Sequence, residues 1–258
     1  MARCNVELVV VVVYLLAATI LRIANAQEFE YPLPEFLKIC HRDDPNLNDC
    51  VMESVEHLKP YLKEGIPELG IPSCEPLHIP EIVINQGRGA VSVQSTYSDI
   101  LVSGPSEFDL KSVRLDLNKQ KVKLKIHIPA LRVTSKYTME GRILLLPIQG
   151  NGIGAGNYTD IDATCSVLGE TVNRKGWTYY NVKEFNVSFN IGHASVLLDD
   201  LFNGDKEMGD AMNTFLNENW RNVAQEIRPV MEDTIGEIFK TFCNKIYHKY
   251  PLEQLLPP

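Results

Sequence analysis

Hydrophobic positions divide the chain into three regimes. In residues 47–62, Leu47, Val51, Val55, Leu58 and Leu62 recur at steps of four and three, which gives one apolar helix face. Asp44-Pro45 precedes them with the residue types of an N-cap and a first helical position. Pro60 and Gly65-Ile66-Pro67 are expected to close the helix. From about residue 77 to 196 the period changes to two. The clearest stretch is Val113, Leu115 and Leu117, a polar turn at Asn118-Lys119-Gln120, then Val122, Leu124, Ile126 and Ile128. Lys121, Lys123 and Lys125 take the alternate places, so this is an antiparallel hairpin with one apolar and one solvated face. Residues 92–102, 134–146, 158–168 and 177–190 read as further strands. Gly87-Arg88-Gly89, Gly104-Pro105 and Arg174-Lys175-Gly176 separate them as turns. Over residues 205–247 the helical step returns, through Met208, Met212, Phe215, Trp220, Val223, Ile227, Met231, Ile235, Ile238, Phe242 and Ile246. Pro229 interrupts this stripe without changing its phase, which predicts a kink rather than an end.

Those lengths constrain the architecture. A helix of some forty residues would be ~60 Å long at 1.5 Å per residue. A compact chain of this size is only ~45 Å across. An elongated α+β molecule resolves the mismatch, with a strongly curved antiparallel sheet wrapped around the long C-terminal helix and both apolar faces meeting inside. A coiled coil is the lesser alternative, because the stripe is wide and lacks flanking charge patterning.

Residues 1–26 are read separately. Arg3 precedes an apolar run at 8–21, and Ala24-Asn25-Ala26 has the small residues of a cleavage site, so a secretory signal peptide ending before Gln27 is expected. The apolar run is shorter than the ~20 residues that span hydrocarbon, and no later stretch is long enough, so no stable membrane insertion is expected. Residues 27–258 then form one secreted, extracellular domain. Loss of the segment removes a net +1 from the chain's −8, leaving −9. Acidity on this scale argues against a nucleic-acid partner. Asn157-Tyr158-Thr159 and Asn186-Val187-Ser188 are glycosylation acceptors that agree with secretion.

Candidate chemistry is sparse. Cys40 and Cys50 enclose a short loop that is easily bridged in an oxidising compartment. Cys74, Cys165 and Cys243 allow at most one further pair. No CxxC or HxxxH spacing exists, so no metal or cofactor is expected. The glycines of 150–156 lack the strand-before, helix-after context of a dinucleotide loop, and a hairpin turn is the better reading. The sequence has no GxSxG, HExxH or SxxK motif, and no histidine sits in a local acid–base motif. No catalytic residue is therefore assigned, and the chain is read as a non-enzyme. His127 alternates on the solvated strand face and is expected to be exposed.

Several segments carry a resemblance. They are the Cys40–Cys50 loop, Gly65-Ile66-Pro67-Glu68, Ile71-Pro72-Ser73-Cys74-Glu75-Pro76-Leu77, Leu144-Leu145-Leu146-Pro147-Ile148, Leu201-Phe202-Asn203-Gly204-Asp205, Phe215-Leu216-Asn217-Glu218-Asn219-Trp220 and Tyr250-Pro251-Leu252. In this order and spacing they resemble the takeout and juvenile-hormone-binding-protein family of insects, closer to the takeout branch. The resemblance implies a super-roll of the TULIP type and a disulfide between Cys40 and Cys50. It further implies a secreted, haemolymph-type carrier with an apolar tunnel for a terpenoid such as juvenile hormone, or for a fatty-acid-like lipid. Circadian, feeding or behavioural signalling is the implied setting.

The candidate tunnel lining is Phe215, Trp220, Val223, Ile227, Met231 and Ile235 on the helix, facing Val122, Leu124 and Ile126 on the sheet. Tyr97, Tyr137, Tyr158, Tyr179 and Tyr180 are candidate polar donors. The sequence names no receptor or membrane delivery partner. A secreted lipid-ester or hormone-ester hydrolase, and an interaction protein with a filled interior, are the alternatives.

Overall fold

The computed structural model describes residues 29–86, 91–144 and 146–258, so the expected signal peptide and the turn at Gly87-Arg88-Gly89 lie outside the described residues. Of the N-terminal unit, Met1–Leu33, only Phe29 to Leu33 are described, without regular structure; Pro34–Pro258 forms the second unit. Its elements are α1 (Leu47–Glu64), β1 (Leu77–Gln86), β2 (Val91–Ser103), β3 (Asp109–Asp116), β4 (Lys121–Ile143), β5 (Leu146–Arg174), β6 (Trp177–Leu198), α2 (Lys206–Glu218), α3 (Trp220–Tyr247) and a single turn α4 (Leu252–Leu255).

All six strands form one antiparallel sheet in the order β1-β2-β4-β5-β6, and β3 pairs with β4 off this path. β4 carries β3 along its first half and β2 along its second, on one edge, with β5 along the other. Helix α3 packs on β6 and also touches β1 and β2 at the opposite end of the strand order. The α+β class and the sheet curved about a C-terminal helix are therefore as expected.

The three longest strands bend together. In β4, Val122 to Ile128 point inward at even positions, whereas Tyr137, Met139 and Ile143 point inward at odd ones. β5 and β6 make the same switch, from Ile148 to Val167 and from Phe185 to Val196 and Leu198. The exchange falls where the ladder skips Pro129, Asp160 and Gly192. Pro129 has no N–H to give the ladder. Asp160 holds φ at +54°. A Cβ on Gly192 would sit 2.7 Å from the Asp160 Cβ. One unpaired residue per strand, aligned across three strands, flips every side chain and forms a corner in the sheet.

This corner corrects the strand boundaries. The hairpin arm from Val122 and the expected strand at 134–146 are one strand, β4, and β5 and β6 run well beyond the stretches of clean alternation. The glycine run 150–156 is not a hairpin turn but lies inside β5. The chain reverses instead around Leu144, between Ile143 and Leu146. Its glycines make space: a Cβ on Gly150 would meet the Tyr137 hydroxyl at 2.7 Å, and one on Gly156 the Tyr158 hydroxyl at 2.6 Å. At the other hairpin, Leu115 pairs with Val122 and Val113 with Leu124 as expected. Leu117, however, belongs to the turn and is 44 % exposed.

The helices also depart from expectation. α1 starts two residues after Pro45, with Asn46 at its N-cap position, because Asp44 and Pro45 form the preceding turn; the Asp44 carboxylate accepts the Asn46 N–H at 2.8 Å. Pro60 is accommodated within α1, which ends at Gly65 with φ +89°. The C-terminal stripe is two helices, broken at Asn219, and, as expected, Pro229 does not end the second. The Asn219 side chain donates to the Phe215 carbonyl at 2.8 Å while its backbone leaves helical geometry, at φ −106° and ψ 16°. α3 then runs unbroken through Pro229 for 28 residues, ~42 Å. Cys40 and Cys50 are joined by a disulfide, and Cys74, Cys165 and Cys243 are free. His127 is not fully exposed; its Nδ1 lies 2.9 Å from an Asp162 carboxylate oxygen.

Candidate functional site: an apolar face between α3 and the sheet

Two buried clusters bracket helix α3. The first joins Val91, Val93, Tyr137, Met139, Ile143, Ile148 and Leu201 to Met212 and Leu216 of α2, with Phe215, Val223 and Ile227 packed against it. The second joins Val167, Tyr180 and Val182 to Val122, Phe185, Cys243, Tyr247 and Leu252. From Ile227 to Cys243 is sixteen residues, ~24 Å of helix. In that interval Val230, Met231, Ile235, Ile238 and Phe242 are all only half-buried. Gly236 is the one buried residue of the entire helix. Along this stretch of apolar stripe, only a glycine is fully buried.

The sheet offers a matching surface. Register aligns Val113, Leu124, Cys165 and Val187 in one cross-strand row, Leu110, Ile126, Ala163 and Phe189 in the next, and Ile128, Ile161 and Ile191 beyond. These rows share the face of Val122, which packs in the second cluster. Leu124, Ile126 and Ile128 remain half-buried. Leu252 of α4 packs into the second cluster, and Glu253 accepts the Thr178 N–H of β6 at 3.1 Å, so the C-terminal segment closes that end.

α3 is held at the edge of the sheet by polar side chains. β6 is the last strand, and its free edge would leave backbone groups unpaired. Asn213 and Asn217 of α2 each donate to and accept from one β6 residue, Leu198 and Val196 respectively, at 2.8–2.9 Å. Asn244 does the same for Val182, at 2.8 and 3.1 Å. Glu232 accepts the Phe189 N–H at 2.9 Å. A Cβ on Gly236 would fall 2.4 Å from the Phe185 carbonyl oxygen, so that glycine permits the contact of helix with strand. The side-chain amides thus stand where a seventh strand would, and their stripe runs beside the apolar one.

The candidate lining divides accordingly. Met231 and Ile235 lie on the interval between the clusters, and Leu124 and Ile126 on the sheet rows. Phe215, Val223, Ile227 and Val122 flank the clusters. Trp220 stands apart: its ring meets the exposed His193 edge-on at 5.5 Å and lies under Arg221 at 4.6 Å. The amide clamps were not legible as such, because an Asn or Glu beside an apolar stripe reads as the solvated face. The four-residue spacing of Asn213 and Asn217 was the available signal.

Polar groups on the inner side are neutral. Burial raises the pKa of Tyr97 and Tyr158. Burial, with the charges of Asp199 and Asp200, pushes Tyr137 up to about 12, and its hydroxyl donates to the Asp199 carbonyl. Tyr180 donates to the Gln120 carbonyl at 2.6 Å, and Tyr179 lies under Arg174 at 5.7 Å. The thiols of Cys165 and Cys243 are pushed up to about 11 by burial and carry no nucleophilic charge at neutral pH. Asn157 and Asn186 are exposed on β5 and β6. Two open clefts are also present, one along α2 at Asp210, Thr214 and Glu218 with the clamp residues Asn213 and Asn217, and one at the β3–β4 turn at Arg114, Leu117, Lys121 and Lys123.

Known proteins share this fold. A family model described as haemolymph juvenile hormone binding protein matches residues 11–257. The circadian clock-controlled protein daywake of Drosophila melanogaster is 26 % identical over 229 residues, covering 86 % of this chain and 87 % of its own. A putative beta-carotene-binding protein of Schistocerca gregaria is 20 % identical over 216 residues, 83 % of this chain and 85 % of that one. The crystal structure of Epiphyas postvittana Takeout 1 superposes with a TM-score of 0.72 at 27 % identity, over 86 % of this chain and all of that one.

Proposed function

The chain belongs to the haemolymph juvenile hormone binding protein family, which includes takeout, and from that membership we propose that it is a secreted carrier of one small hydrophobic ligand. The family comprises secreted carriers of hydrophobic ligands rather than enzymes. The ligand lies along α3 between the two buried clusters, against Met231, Ile235, Leu124 and Ile126, with Phe215, Val223, Ile227 and Val122 at the ends. The observation that carries this reading is the half-buried apolar face of α3, opposite sheet rows in which Leu124, Ile126 and Ile128 are half-buried while Leu110, Val113, Ile161, Ala163 and Cys165 are buried. A linear terpenoid such as juvenile hormone, or a fatty-acid-like lipid, suits an interval of ~24 Å. Burying ~400 Å² of apolar ligand surface yields ~10 kcal/mol gross. After association costs of at least ~4 kcal/mol, binding falls at tens of micromolar, and tighter for longer chains. That range fits pick-up and release.

In this reading residues 1–26 are removed on secretion, and Asn157 and Asn186, both exposed, accept glycans. The clock-controlled relative supports rhythmic signalling as the setting. The test is native mass spectrometry of the purified protein, followed by titration of the delipidated protein with a fluorescent fatty acid. A co-purified lipid and saturable, competable probe binding are expected. A bare protein that binds no probe up to 100 μM overturns the proposal.

A further inference from the structure

The outward face of the β3–β4 hairpin bears a concentration of charge opposite to that of the chain. Lys121, Lys123 and Lys125 occupy successive outward positions of β4, ~7 Å apart. Arg114 of β3 stands directly across from Lys123. All four are exposed, and among the described residues none makes an ion pair. The neighbouring carboxylates are already engaged. Asp116 holds Lys119 at 3.5 Å, Asp109 holds Lys111 at 3.3 Å, and Asp162 holds His127. Glu184, two strands away, accepts from Asn186. Arg114, Lys123 and Lys125, together with Lys121 across from Asp116, thus line one face of a chain whose net charge is −8. At the end of this stripe the turn presents Leu117, 44 % exposed, beside Lys119.

We infer that this hairpin face is a docking surface for an anionic lipid bilayer. An alternating strand sets its lysines in a row along a shallow open cleft lined by Arg114, Lys121 and Lys123, without the paired guanidinium forks that select a single phosphate or carboxylate. Such a row suits a plane of negative headgroups, where each lysine is worth about fivefold in partitioning. Leu117 at the tip adds an apolar foot that a soluble polyanion would not use but an acyl boundary would. The association is peripheral: one leucine and a few cations do not insert a chain. The inner side of the same hairpin carries Val122, Leu124 and Ile126, so docking sets that wall of the apolar face against the membrane. The docking surface itself stands whether or not a ligand lies within.

The measurement is co-sedimentation of the secreted full chain with vesicles of 30 % phosphatidylserine in phosphatidylcholine, and with phosphatidylcholine alone. Binding to the anionic vesicles only is expected, weakening steeply between 50 and 200 mM salt. The combined Lys121→Gln, Lys123→Gln, Lys125→Gln variant should partition about 100-fold less. Lys206→Gln, Lys240→Gln, Lys245→Gln, with the same net charge, should bind like the parent. Leu117→Ser should reduce binding to anionic vesicles while leaving heparin retention unchanged. Asn186 faces the same side as Lys123, two strands away, so Asn186→Gln is run in parallel. Equal binding to both vesicle types, parent-like binding of the hairpin variant, retention on heparin without vesicle binding, or binding only when Asn186 is replaced would each overturn the inference. Fluorescent-probe titration of the same variants reads the carrier function separately and is expected to be unchanged.

Discussion

Truncating α3 at Ile235 distinguishes an apolar face kept for a guest from ordinary core. Leu216, 4 % exposed inside the first cluster, is the reference. Leu216→Ala removes three carbons from close packing and leaves a hole, so about 2–5 kcal/mol should be lost. Ile235 carries the same number of carbons but is half-buried, and in the carrier reading its neighbours already leave it space. Full burial of three carbons is worth ~2.4 kcal/mol and half of that ~1.2 kcal/mol. No new cavity is added, and alanine regains ~0.4 kcal/mol of helix propensity. Ile235→Ala should therefore cost the delipidated protein only about 1 kcal/mol in urea unfolding, with an unchanged m-value.

Ligand binding should respond in the opposite order. Ile235→Ala loses contact with the guest, and fatty-acid probe affinity should drop 5- to 10-fold. In the parent, a ligand at 100 times its dissociation constant adds ~2.7 kcal/mol of stability, and the variant should recover less of it. Leu216→Ala should leave probe affinity near that of the parent under conditions where it remains folded. Met231→Trp completes the set. In an open interval it should fold with little loss and block the probe, whereas in a filled core overpacking would cost about 1–3 kcal/mol. A loss of 3 kcal/mol or more for Ile235→Ala in the delipidated protein would refute the reasoning, since only a packed side chain leaves a cavity that expensive.

Three further outcomes follow from particular contacts. Asn244→Ala strips both partners from Val182, itself 2 % exposed, and orphaning its N–H and carbonyl should cost about 2–4 kcal/mol in chemical denaturation, whereas Asn244→Asp should fall between that and the parent. Replacing Cys40 and Cys50 together by serine releases a ten-residue loop and should lower stability by about 2–3 kcal/mol, measured as urea unfolding against the parent. Burial pushes the Glu75 carboxyl up, but the N–H groups of Gly104 and Ser106, the Ser106 hydroxyl and the Lys63 charge outweigh it and hold its pKa below the usual 4.5. Its stabilisation is therefore complete above about pH 4.5 and lost as pH falls through the lower, folded value, so Glu75→Gln should show a shallower acid loss of the denaturation midpoint between pH 5 and 3.

Periodicity revealed the sheet, the long helical stripe and which residues face inward, because burial on one side imposes a period of two or 3.6 regardless of tertiary detail. It failed at the corner. Pro129, Asp160 and Gly192 each shift the inward parity by one residue, so a continuous strand reads as two short ones separated by a loop. The glycine run at 150–156 misled for a related reason, since glycine marks close approach as readily as a turn. Of the candidate lining, the residues on the period-two and period-3.6 faces fell on or beside the interval. Trp220 did not: it is the first residue of α3, directly after the break at Asn219, and its ring lies against His193 and Arg221. No pattern in the sequence distinguishes a half-filled apolar face from a filled one, because hydrophobicity records which side is dry and not how densely it is packed.

In the carrier reading, an interior kept open for a guest poses a stability problem that the edge chemistry answers. A globular core gains its free energy from burying side chains on both sheet and helix, and an apolar interval of ~24 Å forgoes part of that gain. Here the helix is fastened by contacts that do not depend on filling the space beneath it. Asn213, Asn217, Glu232 and Asn244 pair with the backbone of β6, and the buried clusters lie at either end of the interval. A helix held through its edge and its ends can leave its middle open without leaving the sheet. The same arrangement explains the polar choice at these positions. Leucines there would bury more apolar area, but the free N–H and carbonyl groups of β6 would lose their partners, at about 1–3 kcal/mol for each orphaned group. The amide stripe and the half-buried apolar stripe are thus two parts of one device, and replacing the first by apolar residues should collapse the second.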